Sequence, residues 1–380
     1  MKKTINYIET VIIGGGFSGL FISDVFIDKG YESFLLIEQN NRLGGYAISG
    51  DMKIGLLPAG NRTKQLLPPG FYEFYEEQFA TRFRKYLNTP EKKAFAFNFS
   101  SVGLQNKYYN SFILSRQNGI LLTTLIKEKI NCHILFRKVT DISILDGCYA
   151  VQLSKYEVIR CKYLIISSGR SYSIFSSLKQ IGQVYSEKHD ILFGVRACFD
   201  SKNAENMFSH QPDFKVKDYN DYQTYCFNYR GNINSYNYND RIIYSGSLDE
   251  KRLTGNCFIG KRLISSPDIE LKKIKEHKKI SYQQFLIYEW LKPVKVIFEG
   301  IGSFMHKLEQ LSGLKFTYIY YPALEQFWAR PNINNMTLES TSLPNVFYIG
   351  DASGISFGVM QCYITSHVLL NELENRNVFH

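Results

Sequence analysis

The segment between residues 11 and 38 constrains the fold more than any other part of the chain. Residues 11–13 form a short apolar run that leads into glycines at positions 14, 16 and 19, with the spacing Gly-x-Gly-x-x-Gly. The apolar residues that follow recur at helical spacing, and a second apolar run over residues 34–37 ends at Glu38. This order predicts a strand, a tight turn, a helix and a second, parallel strand.

A different physical requirement explains why glycine is needed at each of these three positions. Gly14 permits the sharp turn out of the strand, Gly16 lets the backbone approach a pyrophosphate, and Gly19 lets the helix pack closely on the sheet. The N-terminus of the helix offers N–H groups and a partial positive charge to phosphates. Glu38 lies where a carboxylate can accept hydrogen bonds from both hydroxyls of an adenosine ribose. The segment therefore predicts dinucleotide binding; the alternative is a structural glycine turn.

Composition restricts the class of protein. A chain of 380 residues corresponds to about two domains, and 44% hydrophobic with 21% charged residues is typical of a globular protein. We find no apolar run of the roughly 20 residues that a membrane-spanning helix needs, and Glu9 interrupts the apolar segment after the basic start. We therefore expect a cytoplasmic protein with no transmembrane segment. The seven cysteines contain no C-x-x-C pair, which argues against a disulfide framework, a dithiol redox centre and a metal site.

The net charge of +10 leaves several classes of partner open, namely nucleic acid, a membrane surface or an acidic substrate. The densest basic patch lies at residues 272–279, and a solvated helix face is the favoured interpretation of it. Nucleic acid is therefore not the expected partner, and a small-molecule substrate is. The sequence does not predict the oligomeric state.

Two later segments resemble parts of a nucleotide-binding fold. Residues 163–166 form an apolar strand that ends close to Ser168-Gly169, and residues 346–349 form another that leads into Gly350-Asp351. A helix is predicted from Val359 to residue 373. Between the first βαβ unit and Ser168 the sequence predicts a helix and a small β-meander. The predicted helix covers residues 120–129, and the predicted strands cover residues 132–136, 139–144, 149–153 and 158–161.

Residues 190–340 read as a different domain. Strands are predicted at residues 191–199, 222–228 and 241–247, and helices at 269–279, 283–290 and 304–311. Strands followed by helices indicate an α+β domain. An amphipathic helix is also predicted over residues 71–87, where apolar side chains recur at four-residue steps. We expect this inserted helix to lie over the reacting end of the cofactor.

Together these motifs resemble the FAD-dependent oxidoreductases of the glutathione-reductase-like superfamily that lack a separate NAD(P)H domain. Within that group the chain is most similar to the FAD-dependent dehydrogenase family, on Ser168-Gly169-Arg170-Ser171, Gly350-Asp351 and residues 358–361. The resemblance implies an α/β fold, in which a Rossmann-type FAD-binding domain (a parallel sheet with helices and a small β-meander) is joined to an α+β substrate domain. The implied boundaries are residues 1–50, 110–190 and 340–380 for the FAD-binding domain, and 51–109 and 191–339 for the substrate and lid domain.

The resemblance also implies non-covalent FAD and the residues that hold it. Asp351 would accept a hydrogen bond from a ribityl hydroxyl, and the N-terminus of the last helix would face the N1/O2 edge of the isoalloxazine ring. The predicted FAD contacts are Gly14, Gly16, Phe17, Ser18, Gly19, Glu38, Gln39, Arg42, Gly45, Val139, Ser168, Gly169, Gly350, Asp351, Gly358, Val359 and Met360.

The predicted function is hydride transfer between FAD and a small organic substrate. Arg196 is the first candidate for positioning the substrate, because a charge inside the apolar run 193–197 is costly unless it is paired; a structural salt bridge is an equal alternative. Tyr225 is a weaker candidate as a proton donor. An FAD monooxygenase that uses NAD(P)H and O2 is the first alternative function. A flavoprotein acting on RNA, with the aromatic and basic residues of 219–241 stacking on bases, is the second.

Overall fold

The helices and strands of this computed structural model fall into two groups, one around a parallel sheet and one around an antiparallel sheet. The structure describes residues 4–45, 53–57, 59–89, 98–108, 110–186, 190–200, 202, 214–238, 241–249, 251–264, 278–290, 294–324, 330–356 and 358–379. The strands, in chain order, are β1 (Thr4–Tyr7), β2 (Thr10–Ile13), β3 (Phe34–Glu38), β4 (Lys53–Gly55), β5 (Leu87–Asn88), β6 (Leu104–Tyr108), β7 (Ser111–Leu114), β8 (Ile134–Phe136), β9 (Asp141–Leu145), β10 (Cys148–Ser154), β11 (Glu157–Cys161), β12 (Tyr163–Ile166), β13 (Asp190–Asp200), β14 (Phe214–Asp218), β15 (Tyr222–Asn228), β16 (Gly231–Tyr238), β17 (Arg241–Leu248), β18 (Thr254–Ile264), β19 (Lys278–Ser281), β20 (Phe316–Leu324) and β21 (Val346–Tyr348).

The α-helices are, likewise in chain order, α1 (Phe17–Asp28), α2 (Asn61–Lys64), α3 (Phe71–Phe83), α4 (Arg116–Lys129), α5 (Tyr172–Gln180), α6 (Tyr282–Ile287), α7 (Lys295–Ser312) and α8 (Val359–Asn375). Short 3-10 helices lie at Arg84–Tyr86, Phe99–Val102, Asn131–His133 and Gly350–Ser353.

The parallel sheet has the strand order β21-β12-β2-β3-β8. Each neighbouring pair is parallel, and β2 and β12 are buried along their whole length. Helix α1 connects β2 to β3 and packs against α8. The predicted βαβ unit is therefore confirmed, as are the two later strands that return to its sheet. Such parallel strands are apolar throughout because helices or a second sheet cover both faces.

The small β-meander is formed by β9, β10 and β11, with β1 added in parallel at its edge. The prediction that residues 132–136 belong to this meander is wrong. Strand β8 (Ile134–Phe136) pairs in parallel with β3 and so extends the central sheet. The chain can make this connection because α4 lies between the two strands and provides the crossover that parallel pairing requires.

The second sheet has seven strands in the order β19-β20-β13-β18-β15-β14-β6, and all its pairs are antiparallel. Alternate residues of β13, such as Phe193, Val195 and Phe199, are buried in one core with the apolar side of α7. We call the opposite side of this sheet the second face. The α/β class with an added α+β domain is confirmed.

Two smaller sheets lie beside this one. The β16–β17 hairpin contacts β18 and β20, and Tyr244 of the hairpin lies 5.2 Å from Tyr320 between ring centres. The three-stranded sheet β4-β7-β5 connects the two domains, because β4 contacts α8 and β7 follows closely after β6.

One domain boundary and one helix need correction. Helix α3 packs its Tyr72, Phe79 and Phe83 in the core that α1 and α8 share. This apolar stripe places residues 71–83 with the parallel-sheet domain, although the sequence boundary assigned them to the lid. That α3 lies over the reacting end of the cofactor stays a prediction. The helix predicted over residues 269–279 falls mostly outside the described residues, and residues 278 and 279 begin strand β19 instead.

Candidate FAD and substrate site

The turn between β2 and α1 leaves a space in front of the helix. Gly14 has a positive φ of 110°, and a Cβ on it would lie 2.6 Å from the Ser167 carbonyl oxygen. A Cβ on Gly19 would lie 2.0 Å from the Gly14 oxygen. A Cβ on Gly16 would meet none of the described atoms within 4 Å. Folding therefore requires Gly14 and Gly19 to be glycine, whereas Gly16 keeps a space clear that a ligand can fill.

The first turn of α1 presents backbone N–H groups to this space. Gly16 caps the helix, and among the described residues no side chain bonds to its N-terminal N–H groups. The side chains of Phe17 and Ser18 point elsewhere: Phe17 packs on Phe21, and the Ser18 hydroxyl donates to Cys362 Sγ at 3.1 Å. Phe17 and Ser18 are thus available to a phosphate through their backbone alone. An anion here would also be favoured by the helix dipole.

Glu38 ends β3 beside the glycine turn, with 7% of its surface exposed. Its Oε2 accepts a hydrogen bond from the Gly15 N–H at 2.7 Å. Its Oε1 accepts from both the backbone and the side-chain nitrogen of Asn40, at 2.8 and 2.9 Å. A carboxylate has about four acceptor positions, so three are already in use. Oε2 can accept one ribose hydroxyl; the expectation that Glu38 accepts both does not fit this geometry.

Four further predicted FAD contacts lie near Glu38 in the chain or in the sheet. Gly45 lies against the glycine turn, since a Cβ on it would lie 3.1 Å from the Gly16 Cα. Gln39 and Arg42 are exposed near the same edge. Val139 is buried in the core on the other side of the sheet, so only its backbone could contact an adenine.

The loop after β12 meets the loop after β21 at the same edge of the sheet. Ser167 donates to the carbonyl oxygens of Ile13 and Gly14, at 3.0 and 2.8 Å. The Ser168 hydroxyl is buried and has no hydrogen-bond partner in the part of the chain that the structure describes, and Gly169 follows it with a positive φ of 61°. A buried hydroxyl without a partner is costly, which fits a group that a ligand completes.

Asp351 lies on this edge as well. Gly350 before it has a positive φ of 62°, and a Cβ there would lie 1.8 Å from the Ser18 hydroxyl, so the loop touches the start of α1. One Asp351 carboxylate oxygen lies 3.6 Å from Arg170 Nε. Burial raises the pKa of Asp351 above its usual range, and the neighbouring Arg170 acts in the opposite direction.

The N-terminus of α8 is the second helix end at this edge. Gly358 caps it with a positive φ of 107°, Val359 and Met360 are buried, and no acidic residue lies in the first turn. Gln361, buried to 3% exposure, donates from Nε2 to the Tyr72 hydroxyl at 2.8 Å. Tyr72 was not among the predicted site residues; its place in an ordinary helical stripe gave no signal.

A polar cavity of about 520 Å³ opens beside this loop. Arg330, Ser353 and Ile355 line it together with residues of the segment after α2. The Arg330 side chain packs across Gly354, where a Cβ would lie 2.6 Å from its Cγ. The cavity therefore adjoins the predicted ribityl side of the site.

Arg196 lies on the second face with 0% of its surface exposed. Its Nε and Nη2 donate to the Asn256 Oδ1 at 3.0 and 2.7 Å, and its Nη2 also donates to the Cys226 carbonyl oxygen at 3.0 Å. The guanidinium is thus bound within a buried polar network. This geometry favours a structural role over contact with substrate, although the bonds described are to an amide and a carbonyl where a salt bridge was expected.

Tyr225 lies on the same face and in the same row as Arg196. Both are paired across the sheet with Phe258, and cross-strand partners share a face. Tyr225 is half-buried and accepts a hydrogen bond from Lys215 Nζ at 2.6 Å. The structure therefore brings the two predicted catalytic residues together. The structure also places Lys215 and the buried Lys53 near these two residues, and the sequence pattern did not indicate either lysine.

No protein-family model matches this chain, and no curated protein matches it. Among solved structures it is similar to a geranylgeranyl bacteriochlorophyll reductase-like protein from Thermoplasma acidophilum, with 10% identity over 99% of this chain and 81% of that chain and a TM-score of 0.50. It is also similar to the flavin-dependent brominase Bmp2, with 14% identity over 98% of this chain and 80% of that chain and a TM-score of 0.50.

The chain shares the overall fold of these two proteins, and at this identity the likeness concerns the fold alone. Among the helices that the structure describes, none is long and apolar enough to cross a membrane. Within the same residues, no group of three or more His, Cys, Asp or Glu side chains could hold a metal ion.

Proposed function

We propose that this protein is an FAD-dependent oxidoreductase that transfers a hydride between non-covalently bound FAD and a small organic substrate. The observation that carries the proposal is the clear space at Gly16, in front of a helix N-terminus and beside Glu38. The loop at Gly350 contacts the start of the same helix, so the groups that a dinucleotide needs converge on one edge of the parallel sheet. Ligands of open α/β sheets bind at this carboxyl edge.

The residues present fit the parts of FAD. The backbone N–H groups at the start of α1 would hold the pyrophosphate, with Gly16 allowing its close approach. Glu38 Oε2 would accept from an adenosine ribose hydroxyl, and Asp351 would accept from the ribityl chain. The N–H groups at the start of α8 would lie at the ring edge, where their partial positive charge stabilises negative charge.

FAD supplies the capacity to take or give a hydride. The chain itself supplies orientation and a low-dielectric surrounding, since the starts of α1 and α8 are bordered by buried apolar residues. The motifs around Ser168 and Gly350 resemble those of the FAD-dependent dehydrogenase family. We therefore place dehydrogenase chemistry ahead of oxygen insertion.

Anaerobic mixing of the FAD-loaded protein with a panel of amines, alcohols and unsaturated acids tests this function. We expect one alcohol or amine to bleach the flavin absorbance without oxygen or NAD(P)H. Bleaching by NAD(P)H alone, followed by oxygen-dependent product formation, would contradict the dehydrogenase proposal and favour a monooxygenase. The matched control is Gly16→Ser, whose side chain would fill the pyrophosphate space.

A further inference from the structure

The pair formed by Tyr225 and Lys215 lies on the second face of the seven-stranded sheet. Tyr222 of β15 contacts α7 through its hydroxyl, which donates to the Val296 carbonyl oxygen, and Tyr225 packs on Phe258 on the opposite side. Lys215 Nζ lies 2.6 Å from the Tyr225 oxygen and 4.0 Å from the centre of its ring. An ammonium group that donates to a phenol oxygen stabilises the phenolate over the neutral phenol.

A bulge follows Tyr225 directly in the chain. The pairing of β15 with β18 shifts between Tyr225 and Asn228, and Cys226 has a positive φ of 46°, which is strained for a residue with a side chain. Strain of this kind costs about 1–3 kcal/mol and persists where the surroundings enforce it. Bulges also occur preferentially beside active sites, where they redirect a side chain.

Two buried cations hold this bulge from different elements. Arg196 donates to the Cys226 carbonyl oxygen at 3.0 Å, and Lys53, with 8% of its surface exposed, donates to the Phe227 carbonyl oxygen. Because Lys53 belongs to β4, this contact joins the substrate domain to the small sheet. The bulge after Tyr225 is therefore linked to both sheets.

Contacts of β4 relate this group to helix α8. Strand β4 contacts α8, and Ile54, next to Lys53, is buried in the same core as Met360. Lys215 is paired across the sheet with Lys107 of β6, so a second lysine lies on the same face. The charged residues that the strand register places on this face include Lys215 and Lys217 of β14, Lys107 of β6, Arg262 of β18 and Arg196 of β13, and Lys53 reaches the bulge from β4.

We propose that Tyr225 and Lys215 form the proton-transfer pair of the proposed oxidoreductase, with Arg196 and Lys53 acting as positioning residues through the bulge. This inference rests on the proposed function. In oxidation of an alcohol or amine, the substrate C–H bond breaks and its hydrogen leaves with two electrons to FAD. The O–H or N–H proton moves to the Tyr225 oxygen, and a C=O or C=N bond forms in the substrate. Lys215 stabilises the phenolate before transfer, and reduction runs through the same steps in reverse.

The test follows phenolate formation in the FAD-loaded protein, with no substrate added. The near-ultraviolet absorbance difference between the native protein and Tyr225→Phe isolates the ionisation of this one tyrosine. In a Lys215→Met background the same difference should develop about one to three pH units higher, whereas Lys215→Arg should leave it close to the native position. Lys217→Met is the matched control, because Lys217 is exposed on the same strand and pairs with Asp221.

Three outcomes would overturn the inference. One is equal ionisation of Tyr225 in the native and Lys215→Met proteins; another is a shift in Lys217→Met as large as that in Lys215→Met. The third concerns flavin bleaching by benzyl alcohol or benzylamine, if either compound reduces the native protein. Bleaching that is as fast in Tyr225→Phe and Lys215→Met as in the native protein would overturn the inference. Failure of FAD to bind would instead contradict the proposed function, and the absorbance experiment would still decide on the pair in the FAD-free protein.

Discussion

At the scale of single residues, the glycines separate space that folding fills from space that a ligand can fill. Gly14, Gly19 and Gly350 each lie so close to other protein atoms that a side chain cannot fit. Gly16 alone of the three motif glycines has clear space and an ordinary φ of −70°. The sequence motif assigned Gly14 to the turn, Gly16 to the approach of a pyrophosphate and Gly19 to helix packing, and the clear space at Gly16 is consistent with that assignment.

Gly16→Ser should separate folding from cofactor binding. Serine is a better N-cap than glycine by a few tenths of a kcal/mol, so the thermal stability of the FAD-free protein should stay constant or rise. FAD affinity should fall at least about tenfold, which is about 1.4 kcal/mol, because the side chain occupies the phosphate space. Flavin fluorescence titration and thermal unfolding measure the two effects.

Gly19→Ser is the matched control, since its Cβ would lie 2.0 Å from the Gly14 oxygen. We expect this variant to lose stability in the FAD-free state. The interpretation of Gly16 is wrong if Gly16→Ser binds FAD with unchanged affinity.

His367 gives a prediction about pH. Its ring stacks on Tyr75 at 4.3 Å between ring centres, and burial, with Arg82 and Lys29 nearby, lowers its pKa from 6.5 to about 4. The unfolded chain therefore takes up a proton near pH 6.5, while the folded protein does not until about pH 4. As the pH is lowered through this window, the free energy of unfolding should fall by up to about 3 kcal/mol.

His367→Phe removes the titration and keeps an aromatic ring against Tyr75. Urea unfolding at several pH values should show a smaller loss of stability in this variant between pH 6.5 and 4. His306→Phe, at an exposed position of α7, should keep the native slope. An unchanged slope in His367→Phe would show that other groups cause the pH dependence.

At the scale of elements, local patterns predicted most strands and helices but not their partners. The apolar runs at β2, β3, β12 and β21 were sufficient to predict a shared parallel sheet, because buried parallel strands are continuously apolar. The run at β8 carries the same local signal as the meander strands, so its sheet could not be read from the sequence. Sheet assignment depends on the crossover helix and on which edge remains unpaired.

The partners of Arg196 could not be predicted for the same reason. Its place in an apolar strand indicated a paired charge, whereas the described bonds are to the Asn256 amide and the Cys226 carbonyl. These partners come from β18 and from the bulge after Tyr225, and no local pattern in the chain indicates a bulge. A strained backbone at a residue other than glycine arises from tertiary contacts.

The contact between α3 and α8 gives the element-scale prediction. Tyr72→Phe would leave the buried Gln361 amide without its acceptor, so it should lower the free energy of unfolding by about 1–3 kcal/mol. Adding Gln361→Leu should restore part of this loss, because both polar partners are then absent. Urea unfolding of the single and double variants measures the coupling.

Tyr156→Phe serves as the control, since Tyr156 is exposed on the meander. Strictly additive losses in the double variant would mean that the two side chains do not stabilise each other.

At the scale of the whole molecule, the two domains meet through the small sheet and through the contact of Lys53 with Phe227 of the antiparallel-sheet domain. The edge proposed for the cofactor belongs to the parallel-sheet domain, and the second face belongs to the antiparallel one. The sequence predicted the α/β fold with a second, α+β part. The cofactor edge, which rests on the local glycine and acid motifs, stays a prediction. The sequence did not predict how the second face is arranged, since Lys53, Lys215 and Arg196 come from separate strands.

The FAD content of the purified protein tests the central claim most directly. The protein, or the protein after incubation with FAD and removal of excess, should be yellow and should release an equimolar amount of FAD when it is denatured without proteolysis. Gly16→Ser should carry less flavin at equal stability. A folded protein that remains colourless and takes up no FAD on titration would contradict the account.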